Sequence, residues 1–138
     1  MKVLVAHDGS ELADKALNRA AKIAAAEKGR LTVLTVLPDL CTMEIGDDDC
    51  RKLIGIMASE PEKRFEDLKE ELAGKSIPME IEIKSGKAAE TILAVSKEKN
   101  IDMIVLGSHG RHGAKKFFLG SVSVEVVKHA SCEVLVVK

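Results

Sequence analysis

Short apolar runs alternate with helical stretches from one end of the chain to the other, and no other feature restricts the fold as much. Residues 2–7 (KVLVAH), 31–37 (LTVLTVL), 102–106 (DMIVL) and 133–137 (EVLVV) are apolar runs of strand length. Residues 79–84 (MEIEIK) alternate apolar and polar side chains, which predicts a strand with one wet face and hence a sheet edge. After the first strand, Ser10 can cap a helix in which Leu12, Ala13, Ala16, Leu17, Ala20, Ile23 and Ala24 recur at helical spacing, with Gly29 placed to close it. Pro38 stops the second strand and residues 39–49 read as an acidic, irregular loop. A helix is expected over much of 51–72. There Pro61 either kinks it or occupies the first turn of a second helix, for which Ser59 and Glu62 have capping-box spacing. Further helices are predicted over about 87–99 and 121–129.

The order is therefore β-α-β-α-β-α-β-α-β, which implies an α/β fold with a parallel sheet covered by helices on both faces. Right-handed crossovers leave a doubly wound five-stranded sheet of strand order 3-2-1-4-5 as the expected arrangement. In that arrangement the ligand crevice lies outside the carboxyl ends of strands one and four, where the winding reverses. Two loops flank it: His7-Asp8-Gly9-Ser10 and Gly107-Ser108-His109-Gly110. With 138 residues and no linker or repeat, the chain reads as one domain over 1–138.

The second loop has the chemistry of a phosphate cradle. Gly107, Gly110, Gly113 and Gly120 let backbone approach a ligand, and Gly120-Ser121 stands just before a predicted helix whose first N–H groups favour anions. Arg111, Lys115 and Lys116 add positive charge nearby. Asp8 suits binding to a ribose, help in holding a nucleotide-bound Mg²⁺, or capping of its own turn. A Rossmann dehydrogenase needs G-x-G-x-x-G after the first strand, and a P-loop needs G-x-x-x-x-G-K-[ST]; neither is present. A receiver domain needs acidic residues clustered at the first strand's end and an aspartate after the third, where this chain has Lys84-Ser85-Gly86. His109 and His112, with His7 nearby, read as polar loop residues near phosphate rather than a metal site. Asp47-Asp48-Asp49 lacks the spacing of a calcium loop.

Net charge is −1, so bulk electrostatics gives no reason to expect nucleic acid or an anionic membrane as partner. No apolar run approaches the ~20 residues of a spanning helix, and the opening MKVL passes into a strand pattern without the regions of a signal peptide. A cytoplasmic location is expected, with Cys41, Cys50 and Cys132 as free thiols. The final strand 133–137 should be an edge, yet VLVV is apolar on both faces and would need cover, either from the same strand of a second subunit across a two-fold axis or from the chain's own last helix.

Gly107-x2-Gly110-x9-Gly120-Ser121 matches the G-2x-G-9x-G-[S/T] nucleotide motif of universal stress proteins. The stretch GSHGRHGAKKFFLGSVSVEVVKHASCEVLVVK resembles the C-terminal half of that family without a gap, and VLVAHDGSELADKAL resembles its opening strand, turn and helix. Essentially all of the chain takes part, least so residues 38–74. The resemblance implies the UspA-like, ATP-binding subgroup and a homodimer through the last strand. It also implies site residues. Ala6, His7 and Asp8 would contact the nucleoside, the backbone of Val36 the adenine, and Leu106 and Gly107 the ribose; Gly110, Gly120, Ser121 and Val122 would form the phosphate loop and helix start. His7 departs from the small or hydroxylated residue common in the family, which suggests that it crowds or reshapes the nucleoside side; Val124 and Glu133 depart away from the motif.

The function expected is an ATP-binding module, with Mg²⁺ as a companion of the nucleotide. It would act as a homodimeric regulatory or stress-response switch whose nucleotide orders the 108–119 loop for an unidentified protein partner. No arrangement of residues singles out a catalytic base, so slow hydrolysis at most is expected. A nucleotide-independent interaction module on the same fold is the alternative, and a slow ATPase or nucleotide-transferring enzyme a third reading. With three Phe and no Trp or Tyr, base selection would rest on backbone hydrogen bonds.

Overall fold

A computed structural model describes residues 1–39, 41, 46–110 and 119–138. Nine elements follow in chain order: β1 (Lys2–Ala6), α1 (Glu11–Ala26), β2 (Arg30–Leu37), α2 (Asp47–Gly74), β3 (Met79–Ser85), α3 (Ala88–Glu98), β4 (Met103–Gly107), α4 (Ser121–His129) and β5 (Glu133–Val137). The sheet has the order β3-β2-β1-β4-β5 with every pair parallel, as the alternation predicts.

Side chains alternate across each strand, so one strand feeds two cores. Val3, Val5, Val33 and Val105 point to one face, where they meet Ala16, Leu17, Ala20 and Ala24 of α1 and Phe65 and Leu72 of α2. The alanines of α1 let that helix lie close to the sheet. Leu4, Leu34, Ile104 and Leu106 point to the other face, against Ile92 and Val95 of α3 and Val126 of α4. β3 is an edge strand, as its alternation implies. Its Glu80 and Glu82 are held by Lys99 at the end of α3, at 2.9 and 2.6 Å, and these two carboxylates raise the lysine pKa.

Four expectations change. Pro61 lies inside a continuous α2, and Ser59 Oγ donates to the Ile56 carbonyl at 2.8 Å instead of capping a new helix. That helix begins within the expected acidic loop: Asp47, Asp48 and Asp49 form its first turn, where negative charge complements the helix dipole. Cys41 and Cys50 are not free thiols but form a disulfide with their Cα atoms 5.5 Å apart, because the chain returns to the end of β2 as α2 starts; Cys132 remains free. At the end of α1 the left-handed residue is Lys28 (φ 48°), not Gly29. Gly29 answers a different need, since a Cβ there would collide with the Met1 carbonyl.

Candidate functional site

The two loops that the winding singles out do come together. β1 lies between β2 and β4, so its carboxyl end is where the connections depart to opposite sides. Ala6 closes β1 facing the α3/α4 core. The His7 N–H donates to the Leu34 carbonyl at 2.9 Å, which extends the β1–β2 pairing by one residue.

The His7 side chain turns to the α1/α2 face and is 3% exposed. Gly9 N–H donates to its Nδ1 at 3.1 Å. The ring proton is therefore on Nε2, which donates to Asp14 Oδ1 at 3.0 Å. Arg64 of α2 binds both Asp14 oxygens, at 2.7 and 2.8 Å. The Phe65 ring meets the imidazole edge-on, with centroids 4.8 Å apart. Burial pushes the His7 pKa below its ordinary 6.5; the hydrogen bond and charge of Asp14 oppose that, Arg64 adds to it, and Asp8 opposes it weakly. The imidazole is thus committed to the protein interior and does not crowd the nucleoside side as its size suggests.

Beyond His7 the chain makes a tight turn. Gly9 adopts φ 84°, a conformation few other residues tolerate. Asp8 Oδ1 accepts the Ser10 N–H at 3.0 Å, and Ser10 Oγ caps α1 by accepting the Ala13 N–H at 3.1 Å.

Gly107 ends β4, paired with Val137 of β5, and Leu106 before it is buried in the α3/α4 core. Ser108 then makes a junction: its N–H donates to the Val137 carbonyl at 2.8 Å and its carbonyl accepts the Gly120 N–H at 2.7 Å. Ser123 Oγ donates across the same junction, to the Gly107 carbonyl at 2.8 Å and the Ser108 carbonyl at 3.1 Å. These bonds fix the start of α4 against the end of β4. Among the described residues no side chain caps α4 at Gly120; Ser121 is exposed at the helix start and Val122 half-buried on the α3/α4 core.

The glycines answer to contacts. A Cβ on Gly110 would stand 2.5 Å from Asp8 Oδ2, and one on Gly120 would stand 3.2 Å from the His109 Cα. Val36 lies apart on β2, opposite Lys84, half-buried on the α3/α4 side. Arg111, His112, Gly113, Lys115 and Lys116 lie outside the described residues. Sequence reasoning missed Asp14, Arg64 and Ser123. A serine on the buried side of a helix, two residues after Ser121, is a signal for the last; nothing local marks the Asp14–Arg64 pair, whose members are 50 positions apart.

The universal stress protein family profile matches residues 1–138. The chain is 32% identical over 145 residues to universal stress protein YxiE of Bacillus subtilis, covering 99% of this chain and 98% of the relative. Among solved structures, universal stress protein UspA from Lactobacillus plantarum superposes with a TM-score of 0.86 at 28% identity, over 100% of this chain and 97% of that one. More distant structures share the fold: a universal stress protein in complex with cAMP (24% identity, TM-score 0.68, 99% of this chain and 95% of that one) and one from Archaeoglobus fulgidus in complex with dAMP (20%, 0.68, 100% and 98%).

Proposed function

Because the chain belongs to the universal stress protein family, we propose that it binds an adenine nucleotide, ATP first among them, in the crevice between the β1–α1 turn and the β4–α4 junction. The observation that carries this reading is the pair of close approaches at Gly110 and Gly120 beside the start of α4, which among the described residues no side chain caps. Backbone is drawn in where phosphates would need it, and the start of α4 would offer them the positive end of its dipole. Gly110, Gly120, Ser121 and Val122 would hold phosphates; Leu106 and Gly107 would border the ribose through backbone, since the Leu106 side chain is in the core. Val36 would meet the adenine by its backbone. Ala6 and Asp8 would face the nucleoside directly, and His7 through its main chain only. The solved relatives with cAMP and dAMP support an adenine ligand.

Among the described residues no three His, Cys, Asp or Glu side chains gather into a metal site, so Mg²⁺ would come with the phosphates. The domain over 1–138 would act in the cytoplasm as a homodimer paired through β5, whose Val134–Val137 are only half-buried in one subunit. It would serve as a nucleotide-dependent regulatory or stress-response switch with slow hydrolysis at most.

A second reading has an observation of its own. Leu53, Ile56 and Met57 form an exposed apolar stripe on α2 at helical spacing, Ile56 being 70% exposed, which favours a protein-interaction module. The test is mass spectrometry of small molecules released by acid from freshly purified protein. Co-purified ATP or another adenine nucleotide supports the first reading; a partner retained by nucleotide-free protein supports the second.

A further inference from the structure

We propose that His7 is a positioning residue of the crevice: its buried imidazole clamps the Asp8–Gly9 turn, and Asp14 with Arg64 holds the imidazole in turn. The proposal takes its ligand, but not its geometry, from the nucleotide reading. Gly9 is in the left-handed region (φ 84°) and half-buried, and a backbone N–H there takes a partner from backbone, a side chain or water. Nδ1 of His7 supplies it at 3.1 Å. That acceptor exists only while the ring proton sits on Nε2, and Asp14 holds it there at 3.0 Å. Arg64 fixes Asp14 from α2 with two bonds.

The turn so held carries Asp8, whose Oδ2 comes so near residue 110 that a Cβ there would be 2.5 Å away. A shift of a few tenths of an ångström in the turn therefore alters the gap between the two loops. The members of the clamp are unequal. His7 is buried, whereas the side chains of Arg64 and Asp14 are 40% and 42% exposed, so water screens their pair and its removal matters least.

The test compares wild type with His7→Leu, His7→Asn and Arg64→Met in ATP titrations, alongside amide exchange at Gly9 and imidazole ¹⁵N shifts in the wild type. His7→Leu is expected to weaken ATP by about tenfold, the worth of one buried hydrogen bond, and to speed Gly9 exchange by a similar factor. Asn Oδ1 can take the place of Nδ1, so His7→Asn is expected to restore both to within about threefold. Arg64→Met is expected to change binding by less than about threefold. The ¹⁵N shifts should report the Nε2–H tautomer at neutral pH. Wild-type affinity and unchanged Gly9 exchange in His7→Leu would overturn the proposal. So would an Nδ1–H tautomer, a result that stands even if His7→Leu fails to fold. A wild type that binds no nucleotide but shows the protected Gly9 and the Nε2–H ring overturns the nucleotide reading and the ligand role of His7, leaving the clamp as a structural device.

Discussion

Asp8 and Gly110 meet across the mouth of the crevice so closely that a Cβ at residue 110 would stand 2.5 Å from Asp8 Oδ2, and one of the two must shift to admit it. The contact joins two loops about a hundred positions apart in sequence, and each is anchored separately, one by His7 and Ser10 and the other by Ser108 and Ser123.

Gly110→Ala therefore displaces the Asp8 carboxylate, or the turn that carries it. Overpacking of this size costs about 1–3 kcal/mol where neighbours cannot yield. Asp8 lies on an exposed turn that can yield, so the cost should appear in ligand binding more than in folding. ATP affinity is expected to fall by about tenfold, with the urea midpoint little changed. Titration calorimetry and urea denaturation of the same variant check the two halves.

Ser123→Ala removes the hydroxyl that bridges the Gly107 and Ser108 carbonyls. Ser123 is 2% exposed, so water cannot readily replace it. A loss of about 1–2 kcal/mol in unfolding free energy is expected, read as a lower urea midpoint at constant slope.

The His7 pKa lies below 6.5 in the folded protein, so between 6.5 and that lower value the unfolded chain binds more protons than the folded one. His7's contribution to stability is thus complete above about pH 6.5 and declines as pH falls through this window. Burial of the ring sets the window's lower end, with the Asp14 and Asp8 charges opposing it and Arg64 adding to it. Urea midpoints at pH 7.5 and 5.5 are expected to differ in the wild type by more than in His7→Asn, whose side chain does not titrate.

β5 is the last strand on one edge of the sheet among the described residues. Leu135 and Val137 lie beside Lys15, Arg19 and Lys22 of α1, so a lysine at 135 adds charge to a face already basic. If β5 pairs two subunits as proposed, Leu135→Lys is expected to leave a monomer where the wild type runs as a dimer in light scattering behind size exclusion. A wild type that runs as a monomer contradicts the dimer.

Strands and their order were legible because apolar runs and their alternation follow from which faces are buried, and β3 announced its edge through Glu80 and Glu82. The crevice followed from the order. What the sequence hid was long-range. Cys41 and Cys50 pair because α2 begins earlier than the acidic composition of 39–49 suggests. Pro61 is carried by a helix that packs on both sides of it through Cys50 and Phe65. Gly29 resembles a helix cap, but its reason is the Met1 carbonyl, which comes near only in the folded sheet. His7 occupies a position that invites a ligand role, and only its partners on two helices show where the ring goes.

The central claim is that the β1–α1 turn and the β4–α4 junction together hold an adenine nucleotide, and calorimetric titration of ATP into the wild type and Gly120→Val tests it most directly. Position 120 lies against His109 backbone, with its Cα 3.2 Å from an added Cβ, so the branched side chain must push the loop from the start of α4. The expected result is measurable binding to the wild type and none to Gly120→Val, with far-UV circular dichroism unchanged. No heat from the wild type at several temperatures with Mg²⁺ present, or equal affinity in the folded variant, would contradict it.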